Sequence, residues 1–194
     1  MERRPVLLVL DLINEIVHPD GKYAADGYCE QVAERGVLER AATAISRARA
    51  AGIPVIHVVV GFSPGYADWP AGSELFASAR DGDRLVLGTW GTRIHDSLRP
   101  ADGEPIVEKR RVSPFFGTHL DVLLRNLGVN TLLLTGVTTD LVILSTARDG
   151  HDRDYHVEVL EDATATDSQE AHDAALKVIA RTATVSSVAR ALPA

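Results

Sequence analysis

The stretch Asn130–Asp149, NTLLLTGVTTDLVILSTARD, decides the fold. Thr131 to Thr135 is a short, continuous apolar run of the kind found in a strand covered on both faces. Gly136 is read as the break after it, and a helical pattern starts near Thr138. Strand, tight turn and helix in that order make half of a βαβ unit. The turn falls at the carboxyl end of the strand, where open α/β sheets place their ligands. Backbone N–H groups at a helix start also favour negative charge there. A nucleophile would be expected on the first helical turn, yet that turn reads Thr138, Thr139, Asp140, Leu141, Val142.

Working outward, further strands are expected at Pro5–Leu10 (PVLLVL), Pro54–Val60 (PVIHVVV), Pro105–Val107 and His156–Leu160 (HVEVL), with an edge strand at Thr184–Ser186. Helices are expected at Val37–Ala51, Leu120–Leu127 and Gln169–Ala180, with a short helical piece from Thr92. Gly52 and Gly128 close two of them, and Ser168 or Asp167 caps the last. The alternation predicts one doubly wound, mostly parallel sheet with helices on both faces, in a single domain spanning residues 1–194.

Composition narrows the function classes. The chain has 194 residues, 45% hydrophobic and 24% charged, which suits a packed globular core. The formal charge of −7 argues against nucleic acid, since the densest basic run is only Lys109–Arg110–Arg111. No apolar run approaches the ~20 residues that span a bilayer. The amino terminus, MERRPVLLVLDL, mimics a signal peptide but meets Asp11 without a small-residue cleavage site, and is read as the first strand. A single cysteine, Cys29, fits a reducing cytoplasm and is read as a packing residue. GxGxxG, GxxxxGK[ST] and GxSxG are all missing, and the histidines lack zinc-ligand spacing, so no cofactor or metal is expected.

Two charged residues leave strand ends. Asp11 follows the first strand, either as a polar cap on the loop or as an acid or base at the sheet edge. Lys109 follows the third, either in a solvated charge run or meeting Asp11 over one crevice. His57, inside an apolar strand, is read as a hydrogen-bonded core residue. The connection Gly61–Asp83 is long enough to suggest function. Trp69, Arg80, Trp90, Arg93 and Arg111 are candidates to wall a pocket for a small anionic ligand. The same apolar middle region predicts a homodimer or larger assembly.

Taken together, LVLDLINEI, VEKRRVSPFFGTHLDVLLRNLGV, LLLTGVTTDLVILSTARDG and VLEDATA resemble the motifs of the isochorismatase-like hydrolases, a family that includes nicotinamidases and other amidases. The resemblance spans nearly the whole chain. It implies a three-layer α/β/α sandwich on a six-stranded, mostly parallel sheet, and commonly an oligomer. In the amidase members an aspartate, a lysine and a cysteine nucleophile form a triad, and a cis peptide helps build the oxyanion hole. Carried over, these positions are Asp11, Lys109, Val142 for the cysteine, and the Val137–Thr138 bond. Valine cannot act as a nucleophile. A hydroxyl at Thr138, Thr139 or Ser145 would need an activating base, and none occupies the matching position. The isochorismatase-type members instead cleave a vinyl ether, with the aspartate as general acid and the lysine as its electrostatic partner. The resemblance thus implies a hydrolase for a small carboxylate-bearing metabolite, vinyl ether cleavage being favoured over amide cleavage. The alternative is a non-catalytic descendant that binds a small molecule or acts through its oligomer surface.

Overall fold

The computed structural model describes residues 2–193. Six strands form one sheet: β1 (Pro5–Leu10), β2 (Val55–Val60), β3 (Ile106–Lys109), β4 (Thr131–Val137), β5 (His156–Ala165) and β6 (Thr184–Ser186). Their spatial order is β3-β2-β1-β4-β5-β6, and every adjacent pair is parallel. Eight α-helices accompany them: α1 (Asn14–Val17), α2 (Tyr28–Glu34), α3 (Val37–Ala50), α4 (Ala77–Asp81), α5 (Leu120–Asn126), α6 (Leu144–His151), α7 (Gln169–Ile179) and α8 (Val188–Ala191). Among the described residues, no helix is long and apolar enough to cross a membrane.

The central strands explain the layers. Side chains alternate across a strand, so an unbroken apolar run must be covered twice. In β1, Leu7 and Val9 pack with α3 and α8, whereas Val6, Leu8 and Leu10 pack with α5, α6 and α7. All five are buried, each contributing roughly 1.5–3 kcal/mol over an exposed position. A third apolar cluster, including Phe62, Phe76 and Leu85, sits beyond the carboxyl end of β2 and covers that edge. Chain direction through the sheet reverses between β1 and β4, which makes their carboxyl ends the switch point at which open α/β sheets bind ligands.

Several boundaries differ from those expected. Gly136 does not end β4; the strand runs on to Val137. Its φ is 128°, and a methyl group there would collide with the backbone carbonyl of Leu10. Glycine is required by the close approach of β1, not by a turn. The helix expected from Thr138 begins as a π-helical turn, Thr139–Ile143, before α6. β5 continues through Glu161 and Asp162 to Ala165, where Thr164 and Ala165 pair with Gly136 and Val137 of β4 after a register shift; Arg35 and Arg40 pair with the two carboxylates. Cys29 lies in α2, a helix without a periodic signal in the sequence. The piece expected from Thr92 is a 3-10 turn at Asp96–Leu98. Ser168 caps α7, its side chain accepting from the Ala171 N–H at 3.3 Å, and Gly52 takes the left-handed conformation after α3.

Candidate active site

The first functional side chain is set by an unusual backbone. Asp11 follows β1 with φ 53°, a left-handed conformation that aspartate tolerates better than most residues. Its N–H donates to the Val58 carbonyl at 3.0 Å, and its own carbonyl accepts from Ile13 at 2.8 Å. Two strands away, Lys109 ends β3 in register with Val60. Its Nζ reaches Asp11 Oδ2 at 2.8 Å and also donates to the Arg111 carbonyl at 3.1 Å. Both residues are 1% exposed. The two charges therefore meet over the same sheet edge, and Lys109 is not part of a solvated run.

The pair is unevenly satisfied. Asp11 Oδ2 has the ammonium, whereas Oδ1 has no protein hydrogen-bond partner. Burial dominates and raises the Asp11 pKa above the ordinary carboxylate value; Lys109 and the Val60 backbone oppose the rise without cancelling it. A carboxyl so placed can hold a proton on the free oxygen while the other stays fixed.

A small cleft adjoins this edge. Val60, Val112, Val137 and Thr138 line its sheet side, Leu141 and Val142 the π-helical turn, and Ile16, Tyr23, Tyr28, Leu75, Phe76 and Leu85 the outer walls. Its volume is about 70 Å³, half that of the ~150 Å³ apolar cavity that admits benzene, so it suits the reacting end of a substrate. Asp11 and Lys109 do not line it; they lie buried next to its sheet side, among the register neighbours of Val60 and Val137. Val142 is 8% exposed, and the Val137–Thr138 peptide is cis.

The five residues expected to wall the pocket lie elsewhere. Trp69 supports a wall from behind, its Nε1 donating to the Phe76 carbonyl at 2.8 Å. Arg80 stacks over Trp69, 5.8 Å from the ring centroid. Arg111 is turned back onto the carbonyls of Asp68 and Arg110. Arg93 faces a separate depression with Thr92 and Glu108, and Trp90 is exposed beside Glu15 and Lys22. No arginine or lysine lines the cleft, so the carboxylate-bearing ligand loses its expected partners. Among the described residues, no cluster of His, Cys, Asp or Glu is arranged to hold a metal ion.

One pair had no signal in the sequence. Thr139 Oγ1 lies 2.8 Å from His172 Nδ1, joining the π-helical turn to α7 across 33 positions of chain. A base beside a hydroxyl has the form of an activated nucleophile. Thr139, however, is fully buried, and its hydroxyl is already engaged by the ring, whereas Asp11 Oδ1 is left free. Burial also lowers the His172 pKa to about 4, keeping the ring neutral. The pair fixes the turn from the side away from the ligand.

Comparison with known proteins agrees with this architecture. The isochorismatase domain model matches residues 5–190. The chain is 36% identical over 171 residues to ureidoacrylate amidohydrolase RutB of Methylorubrum extorquens, covering 82% of this chain and 68% of that protein. Among solved structures, an isochorismatase family protein from Desulfovibrio vulgaris superposes with a TM-score of 0.86 at 30% identity, covering 98% of this chain and 97% of that one. N-carbamoylsarcosine amidase from Thermoplasma acidophilum gives a TM-score of 0.75 at 30% identity, covering 95% and 96%. With a six-stranded parallel sheet, helices on both faces and a family match over nearly its full length, the chain belongs to the isochorismatase family and is an isochorismatase-like hydrolase.

Proposed function

We propose that this hydrolase cleaves a small, largely apolar substrate by general acid catalysis at Asp11, without a covalent enzyme intermediate, and that the bond is an enol ether. The observation that carries the reading is the Asp11 carboxyl itself: one oxygen held by Lys109, the other unpartnered, and the protonated form favoured by burial. The covalent route lacks its nucleophile, because the turn presents Val142 to the cleft.

The chemistry follows from these groups. The Asp11 Oδ1 proton passes to the terminal enol carbon, leaving an oxocarbenium centre. Lys109 stabilises the carboxylate that forms. Water adds to the cation and returns a proton to Asp11; the hemiketal or hemiacetal then breaks into a carbonyl compound and an alcohol. Positioned proton transfer of this kind is worth roughly 10²–10⁴-fold in rate. The apolar walls suit a neutral substrate and offer a carboxylate nothing beyond an ammonium already engaged.

The relatives support a second reading, since those named above include an amidohydrolase and an amidase. Here Asp11 in its ionised form would activate water against a small amide. The two readings separate in one experiment: phenyl vinyl ether, ethyl vinyl ether and a series of small amides, tested on the unaltered chain and on Asp11→Asn. Phenol release that falls at least about 100-fold in Asp11→Asn supports the enol ether reading. Amide turnover without ether turnover replaces it with the second, and turnover that survives Asp11→Asn removes Asp11 from the mechanism. Amidase activity gained by Val142→Cys would show that the scaffold keeps the amidase arrangement apart from its nucleophile.

A further inference from the structure

Among the described residues, five buried side-chain atoms have no hydrogen-bond partner, and two of them belong to the ends of adjacent central strands: Asp11 Oδ1 and Thr138 Oγ1. β1 and β4 are paired through Leu10 and Gly136, so Asp11 and Val137 lie side by side and Thr138 is one residue further. Thr138 is 7% exposed and lines the cleft. Its carbonyl accepts from the Ile143 N–H at 3.0 Å, but its hydroxyl has no partner. A buried hydroxyl without a partner is costly, and exchange for an apolar group of the same shape would relieve that cost. Asp11 Oδ1 and Thr138 Oγ1 are both buried, have no protein partner and stand at neighbouring strand ends, so one water bonded to both would satisfy each of them.

Resting on the enol ether reading, we infer that the Thr138 hydroxyl is a catalytic group that holds the attacking water. Once Asp11 has delivered its proton, the water donates one hydrogen bond to Thr138 Oγ1 and the other to Asp11 Oδ1. Its lone pair then points at the oxocarbenium carbon. The C–O bond forms, the proton shared with Asp11 completes its transfer, and the acid is restored with no net change in the enzyme. Val142, on the same turn, gives the cation an apolar neighbour that cannot intercept it.

The test uses Thr138→Val, which keeps the β-branched shape and deletes the hydroxyl, with Thr138→Ser as the conservative control. With phenyl vinyl ether, Thr138→Val is expected to lose about 10- to 100-fold in kcat, with KM changed far less and the pH dependence set by Asp11 retained. Thr138→Ser recovers most of the loss. Thr138→Val is also expected to melt at a higher temperature than the unaltered chain, an outcome that a structural role for the hydroxyl would reverse. An unchanged kcat in Thr138→Val, or a loss accompanied by a lower melting temperature, overturns the inference while leaving Asp11 in place. Absence of turnover by the unaltered chain, or turnover that survives Asp11→Asn, overturns the enol ether reading and the inference with it.

Discussion

Two carboxylates at opposite ends of the sheet are both ion-paired, and their acidities move in opposite directions. Glu104 precedes β3 at its amino end. It receives both Arg49 Nε and Nη2 at 2.8 Å, the Ala101 N–H at 2.9 Å, and faces His57 Nε2 at 3.3 Å. The Arg49 hydrogen bonds lead the causes that lower its pKa to about 2. Asp11, at the carboxyl end of β1, has one ammonium for one oxygen, and burial raises its pKa instead. A salt bridge alone therefore does not predict a carboxylate's state. The number of donors reaching it, set against the water it has lost, decides whether it is locked as an anion or can exchange a proton.

Removing the cation from each pair gives the largest contrast. Lys109→Met should cost about 3–5 kcal/mol at neutral pH, because Asp11 is left buried without its cation, either to stay ionised uncompensated or to take up a proton. The deficit should shrink as pH falls, because Asp11, its pKa raised by burial and no longer opposed by the ammonium, takes up a proton. Arg49→Met, whose guanidinium is partly exposed, should cost about 1 kcal/mol or less. Denaturant midpoints of the two variants across pH check the ordering, and equal losses would dissolve the contrast.

His172 extends the comparison to a buried base. Its pKa falls from 6.5 to about 4, so below pH 6.5 the unfolded chain takes up a proton that the folded chain refuses. Stability should drop as pH falls from 6.5 to about 4, by on the order of 3 kcal/mol in full. His57, also lowered by burial, adds loss of the same sign. A flatter stability profile in His172→Gln confirms the assignment; an unchanged one refutes it.

The last contrast concerns the carboxylates themselves. Glu104, lowered to about 2 from 4.5, contributes stability that is present above pH 4.5 and is lost as pH falls toward 2. Asp11, raised from 3.8, acts with the opposite sign: its contribution is full below pH 3.8 and is lost as pH rises through its folded value. Glu104→Gln and Asp11→Asn should therefore tilt the acid limb of the stability curve in opposite senses. A shared tilt would mean that burial does not govern Asp11.

The sequence carried the sheet better than the cleft. β1, β2 and β4 are unbroken apolar runs because both faces are covered, and that requirement is written locally. Asp11 and Lys109 were legible as charges leaving two strand ends, the motif resemblance gave them a shared site, and the geometry brings them together; spacing alone favoured a solvated run for Lys109. The cleft walls gave no comparable signal. Tyr23, Tyr28, Leu75, Phe76 and Leu85 come from connections and short helices whose patterns have no period. Trp69, Arg80, Trp90, Arg93 and Arg111 were selected by residue type, yet their hydrogen bonds and stacking face other parts of the chain. Glu161 and Asp162 looked like the end of β5 because their cationic partners, Arg35 and Arg40, lie over a hundred residues earlier.

Gly136 has a consequence for how such a chain can change over time. At this position main chain rests directly on main chain, with only a hydrogen atom between β4 and the Leu10 carbonyl. The spacing of the two central ribbons beside Asp11 is thus gauged by an invariant of all polypeptides, not by the bulk of any replaceable group. Mutational drift can reshape the surrounding layers without resetting that gauge, whereas one added carbon here would disturb it at once.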